Sequence, residues 1–199
     1  MRSNVCKIEH GTNDLAAILK ESEKVAVYNE LTHKQAMQLR LICEEIDGML
    51  PNIIDNFNGD LWMEYENGVC KVNISLRFEE FTAEKKSELV GIARNKKNAA
   101  AVGIVGKIRS AIENIFLDES NVYDFEMAAS AHSYVSEYYD TVDYSSFWSL
   151  DHYRSVVRSE KKTEAWDELE KSVIASVADD VIVGVKGKQA DIIVIKKFA

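Results

Sequence analysis

The chain has 199 residues, with 24 Lys and Arg against 33 Asp and Glu and a formal net charge of −9. This length suits one large domain with a substantial apolar core, and the acidic balance argues against nucleic acid as a partner, because affinity for a phosphate backbone rests on cations that displace counterions. Cys6, Cys43 and Cys70 form no C-x-x-C pair and the N-terminus has no apolar leader, so we expect no disulfide framework, no zinc site, no membrane association and a cytoplasmic location.

Asn13 or Asp14 is placed to cap a first helix, in which Leu15, Ile18, Leu19, Val25, Ala26 and Leu31 recur near helical spacing. Thr32 and Gln35 then form a capping-box pattern ahead of a second helix whose apolar residues run from Ala36 to Ile53 at steps of three and four. After Asn56 the period changes to two. Two alternating stretches, Leu61 to Tyr65 and Val69 to Phe78, flank Asn67-Gly68, a strong hairpin signal. Thr82 opens a helical stretch to about Asn95, and Asn98 can cap another, AAAVGIVGKIRSAIENIF, ending near Phe116.

Residues 118–160 are less regular and rich in Tyr, Ser and Asp. Aromatic side chains this dense imply packing rather than a disordered linker, so this stretch reads as an excursion with short helices. From Thr163 a further helix leads into DDVIVGVKGKQADIIVIKKF, two β-branched strands joined around Gly187-Lys188. Strands that arrive as hairpins, with helices grouped between them, predict an α+β fold: a two-layer sandwich whose mixed or antiparallel sheet is covered on one face by helices. Residues 1–199 form a single domain in this reading, with 118–160 as an insertion within it.

The second helix carries LICEEIDGMLPN, with two adjacent acids, a glycine and the only proline of the chain. At 100° per residue, Gln38, Glu45 and Asn52 fall nearly in line, and Arg40, Glu44, Gly48 and Pro51 occupy a neighbouring line. Both lines border the core stripe, where loss of water raises a carboxylate's proton affinity and suits it to act as a base. Gly48 bares the surface before Glu44, and Pro51 cannot donate to the carbonyl of Asp47. The alternative is ordinary: Glu44 pairs with Arg40, Gly48 permits close packing and Pro51 marks the helix end.

The segment NAAAVGIVGKIR presents a helix start stripped of large side chains, where backbone donors and the positive end of the dipole are approachable by phosphate. Lys107 adds a charge there. The segment lacks the glycine and Ser/Thr of a Walker loop, and close helix packing through small residues is the competing account. His10, His33, His132 and His152 show no ligand spacing, so no metal held by protein ligands is expected. No G-x-S-x-G is present to anchor a hydrolase. The tyrosines from Tyr134 to Tyr153 read as a subdomain core or a partner surface.

In their order, these pieces resemble the GHKL superfamily, the ATP-binding fold shared by gyrase and histidine kinases, and within it the small anti-sigma factor serine kinases. LRLICEEIDGML resembles the acidic N-box helix, NAAAVGIVGKI the glycine-rich box over the phosphates, and the closing hairpin the last two strands. The resemblance covers roughly two-thirds of the chain by order of elements. It implies a Bergerat-like sandwich and a regulatory protein that binds ATP and Mg2+ and acts through a protein partner, with a homodimer as one assembly open to it. Carried onto this sequence, Glu45 is the general base with Glu44 as the fallback. Gly103, Gly106 and Lys107 cradle phosphates, and Asn98 lies near the phosphate end. In the family an asparagine four residues beyond the base holds magnesium, but here those positions are Gly48 and Met49, so Asn52 is the substitute. The family's DxGxG is replaced by EEFTAEKK after the second hairpin strand. The chain thus resembles a degenerate member with weak or lost catalysis, and a fold-retaining interaction module without nucleotide is the alternative.

Overall fold

The structure, a computed structural model, describes residues 1–12, 14–54, 56–78, 103–117, 147–160 and 163–198. Strands Cys6–Glu9 (β1), Phe57–Glu66 (β2), Val69–Phe78 (β3), Phe147–Ser149 (β4), Asp180–Lys186 (β5) and Gln189–Lys197 (β6) form one open sheet in the order β1-β2-β3-β6-β5-β4. Every pairing is antiparallel. The helices are Leu15–Tyr28 (α1), His33–Ile53 (α2), Gly103–Leu117 (α3), Leu150–Ser159 (α4), Thr163–Glu170 (α5) and Val173–Val177 (α6). The chain is therefore α+β, with an antiparallel rather than a mixed sheet among the described strands.

Local chemistry accounts for the turns and helix starts. Asn67 and Gly68 both sit at positive φ, 50° and 79°, as a type I′ turn requires, and the first hairpin pairs Phe57 with Phe78 through to Glu66 with Val69. Gly187 at φ 59° closes the second. Asp14 caps α1 by accepting from the Ala17 amide, and Thr32 and Gln35 complete a reciprocal capping box on α2, a feature whose loss typically costs about 1 kcal/mol. Helix α2 continues through Pro51 to Ile53, so this proline lies in the last turn rather than ending the helix before it.

The core lies between the sheet and the helices. Leu61, Met63, Val72, Ile74, Leu76, Val183, Ile192 and Val194 from the strands meet Ile18, Val25, Leu39, Ile42, Ile46, Leu50, Ile108 and Ile112 from α1, α2 and α3, all of them buried. Helix α1 packs over β2 and α3 over β5, with α2 between them. Strands β5 and β6 are buried on both faces, since Ile182, Ile193 and Ile195 also have 2% exposure or less. This explains their continuous apolar runs in place of an alternating pattern.

Two edge strands, β1 and β4, are additions to the sequence reading. The first lies ahead of α1 and pairs Cys6 with Leu61. The second places Phe147, Trp148 and Ser149 opposite Gly184, Val183 and Ile182, and Leu150 and Val157 of the following helix are buried in the core. Residues 147–160 therefore belong to the body of the domain. The rest of the expected 118–160 excursion, residues 118–146, and the helix expected from Thr82 to Asn95 lie outside the described residues.

Backbone approach decides one position. A Cβ built on Gly59 would lie 2.2 Å from the carbonyl oxygen of Ser75 on the paired strand, far inside contact distance. Gly59→Ala should lower stability by about 3 kcal/mol, measured as a lower urea midpoint.

Burial also silences the thiols. Cys6, Cys43 and Cys70 are free and buried. Removal from water pushes the Cys70 thiol up to about 12, raises Cys43 further with added repulsion from Cys70, Cys6 and Glu44, and raises Cys6, where Glu21 and Asp14 reinforce burial against the opposing charge of Lys24. Since the thiolate is the reactive form, all three should resist a thiol reagent in native buffer and react together on unfolding; labelling without denaturant would contradict this placement.

Candidate functional site

Adjacent in sequence, Glu44 and Glu45 have different surroundings. Arg40 donates through Nε to Glu44 at 3.0 Å, and its Nη1 reaches Glu23 of α1 at 3.4 Å. These contacts place Glu44 on the flank of α2 that faces α1. Arg40 and Glu44 are each about 40% exposed, and a pair so open to water contributes only about 0.2–0.5 kcal/mol. Glu45 lies about 140° around the helix from Arg40 by helical geometry. It is therefore on the flank of α2 away from Arg40, and α2 packs against α1, α3 and α6. Glu45 is partly exposed, and among the described residues it has no hydrogen bond or ion pair.

Asn52 shares the Glu45 flank but is exposed, and its Nδ2 donates to the carbonyl of Gly48 at 3.2 Å. The amide is folded onto its own helix. Gly48 is exposed, and a Cβ there would meet nothing within 4 Å, so close packing does not explain this glycine. Beside it, Asp47 has a buried carboxylate oxygen with no hydrogen-bond partner among the described residues.

On α3, Gly103 has φ 79° with open space around it, so its backbone conformation rather than crowding favours glycine. Gly106 is buried. Lys107 places its ammonium 5.7 Å from the ring centroid of Tyr153 on α4, within reach of a cation–π attraction. Among the described residues no contact joins Lys107 to Glu44 or Glu45. Asn98 lies outside the described residues. The structure thus packs α2 against α3, with Glu45 on the flank of α2 away from Arg40, while Glu44 turns to Arg40 and Lys107 to Tyr153 of α4.

The expected aromatic surface is described only in part. Trp148 and Tyr153, with centroids 6.1 Å apart, pack against the core. Two polar centres were not singled out by sequence reasoning. Asp180 is 1% exposed and accepts from Ser149 Oγ and from the amides of Asp151 and Val181. Arg154 gives its guanidinium to the carbonyls of Ala175, Ala178 and Asp179. The available signal was Asp151, Arg154, Ser155 and Arg158, which share one face of a helix at steps of three and four.

Among the described residues, no helix is long and apolar enough to cross a membrane. No group of three or more His, Cys, Asp or Glu among them comes together to hold a metal ion. Comparison of the chain with protein-family models, with curated proteins and with solved structures gives no match.

The two glycines should respond oppositely to alanine. Gly48→Ala fills open space on a helix and should gain about 0.5–1 kcal/mol, whereas Gly103→Ala forces a side chain into the left-handed region and should lose about 1–2 kcal/mol. Urea unfolding of the two variants checks both signs.

Proposed function

We propose that this protein is a nucleotide-responsive regulatory protein of the anti-sigma factor serine kinase type, with a Bergerat-like sandwich, acting in the cytoplasm through a protein partner. The reading rests on one observation above the others: among the described residues Glu45 has no partner, and it stands on the flank of α2 away from the Arg40–Glu44 pair. It is supported by the order of elements, in which an acidic helix, a hairpin, a glycine-bearing helix start and a closing hairpin build an antiparallel sheet backed by helices. In this proposal Glu45 faces the nucleotide, and the start of α3 from Gly103 lies near its phosphates.

The fit to ATP and Mg2+ is partial. Asn52, the substitute for a magnesium-holding asparagine, donates its Nδ2 to the Gly48 carbonyl, which holds the side chain along α2 and leaves only Oδ1 for a cation, and Lys107 is engaged with Tyr153. The proposal is accordingly one of nucleotide binding and regulation, with phosphoryl transfer weak or lost. The same internal pairings favour a second reading, in which the fold serves as a protein-interaction module without nucleotide.

Calorimetric titration of ATP with magnesium into the parent chain and Glu45→Gln separates the two. Saturable heat and a raised melting temperature are expected for the parent, with a changed affinity in the variant. No heat and no melting shift at millimolar ligand would remove the nucleotide role and leave the interaction module.

A further inference from the structure

A cleft of about 560 Å³ opens beside the start of β5, between α4 and the end of β6, with no residue of α2 or α3 in its lining. Its size is that of a small-molecule site. The floor is firmly built. Ala178, Asp180 and Ile195 are almost wholly buried, and Arg154 ties α4 to the end of α6 through three carbonyls.

The charges around this cleft do not cancel. Asp180 is saturated by the Ser149 hydroxyl and two backbone amides. Asp179 accepts from the Lys197 amide at 2.6 Å and meets the Lys196 ammonium at 3.3 Å. Among the described residues, Arg154, Arg158 and the Lys197 side chain have no acidic partner. Arg158 is held 5.1 Å from the Trp166 ring centroid, which fixes its plane at the mouth. Hydrogen bonds leave the Asp180 charge in place, so with Asp179 offset by Lys196 these three cations face two carboxylates, Asp151 and Asp180, and one positive charge is left over. A chain of net charge −9 thus carries a recess with surplus positive charge, and such recesses concentrate anions.

We infer that this cleft binds a small anion bearing phosphate or carboxylate groups, held by Arg158 and Lys197 over the Arg154 platform. Guanidinium and ammonium donors together suit oxygens of either kind. The site stands apart from the proposed nucleotide flank and does not rely on it.

The test is titration of inorganic phosphate, pyrophosphate and citrate into the full chain at matched ionic strength, followed by calorimetry and by melting. At least one should bind saturably and raise the melting temperature. Arg158→Gln combined with Lys197→Gln should weaken it about tenfold or more, the loss expected for charged hydrogen bonds. Asp151→Asn should tighten it, a gain that misfolding does not mimic. Stronger binding of the phosphates would identify a phosphoryl ligand, and stronger binding of citrate a carboxylate ligand; either supports the site. Absence of saturable heat from all three anions would overturn it, as would unchanged affinity in a double variant that melts like the parent. If the double variant melts early, Asp151→Asn decides alone: tighter binding supports the cleft and unchanged binding rejects it. Binding of ATP with magnesium to the variants is read separately and reports on the α2 flank.

Discussion

The ladder between β3 and β6 holds the two ends of the domain in one sheet. Nine consecutive pairs, from Val69 with Lys197 to Arg77 with Gln189, join the N-terminal three strands to the closing hairpin. On the helix side of that ladder, Val72, Ile74 and Leu76 lie opposite Val194, Ile192 and Ala190, all buried. A slip of one residue would turn this row away from α2 and place Asn73 and Ser75 beneath it. The packing of α3 against α2 depends on the same register, because α3 rests on β5, and β5 is joined to β3 through β6.

Much of this arrangement is legible along the chain because it is local. The type I′ dipeptide Asn67-Gly68, the Thr32–Gln35 box and the Asp14 cap each declare themselves within a few residues, and the structure has all three. The edge strands do not. Cys6–Glu9 and Phe147–Ser149 are four and three residues long, too short for a periodic signal, and they exist as strands because β2 and β5 offer them partners. The continuous apolar runs of β5 and β6 gave strand type clearly, but their double-sided burial follows from a central position that no local pattern encodes.

The candidate site divides along the same line. Helical geometry alone places Glu44 and Glu45 on different lines and offers Glu44 its partner Arg40 one turn earlier, as the structure has it, but the reach of Arg40 to Glu23 across the α1–α2 interface is beyond local spacing. Lys107 likewise belongs beside Gly103 in sequence, but Tyr153, brought near through β4 and α4, takes its charge. Pairwise contacts between distant segments therefore reassign residues that spacing had grouped together. Asp180 and Arg154 show the converse. Neither belongs to a motif, yet between them they fasten the start of β5 and the end of α6 to α4.

Strand order has a consequence for how the domain is made. The sheet's interior position between β3 and β4 is filled by β6 and β5, the last two strands in chain order. During synthesis, therefore, β3 emerges with one hydrogen-bonding edge bare, and that edge stays open to any passing polypeptide until the hairpin has left the ribosome. The open row is one of unpaired backbone donors and acceptors on a strand rich in apolar residues, so until the hairpin arrives protection by a chaperone, or simple speed of translation, guards the nascent chain against pairing with a stranger.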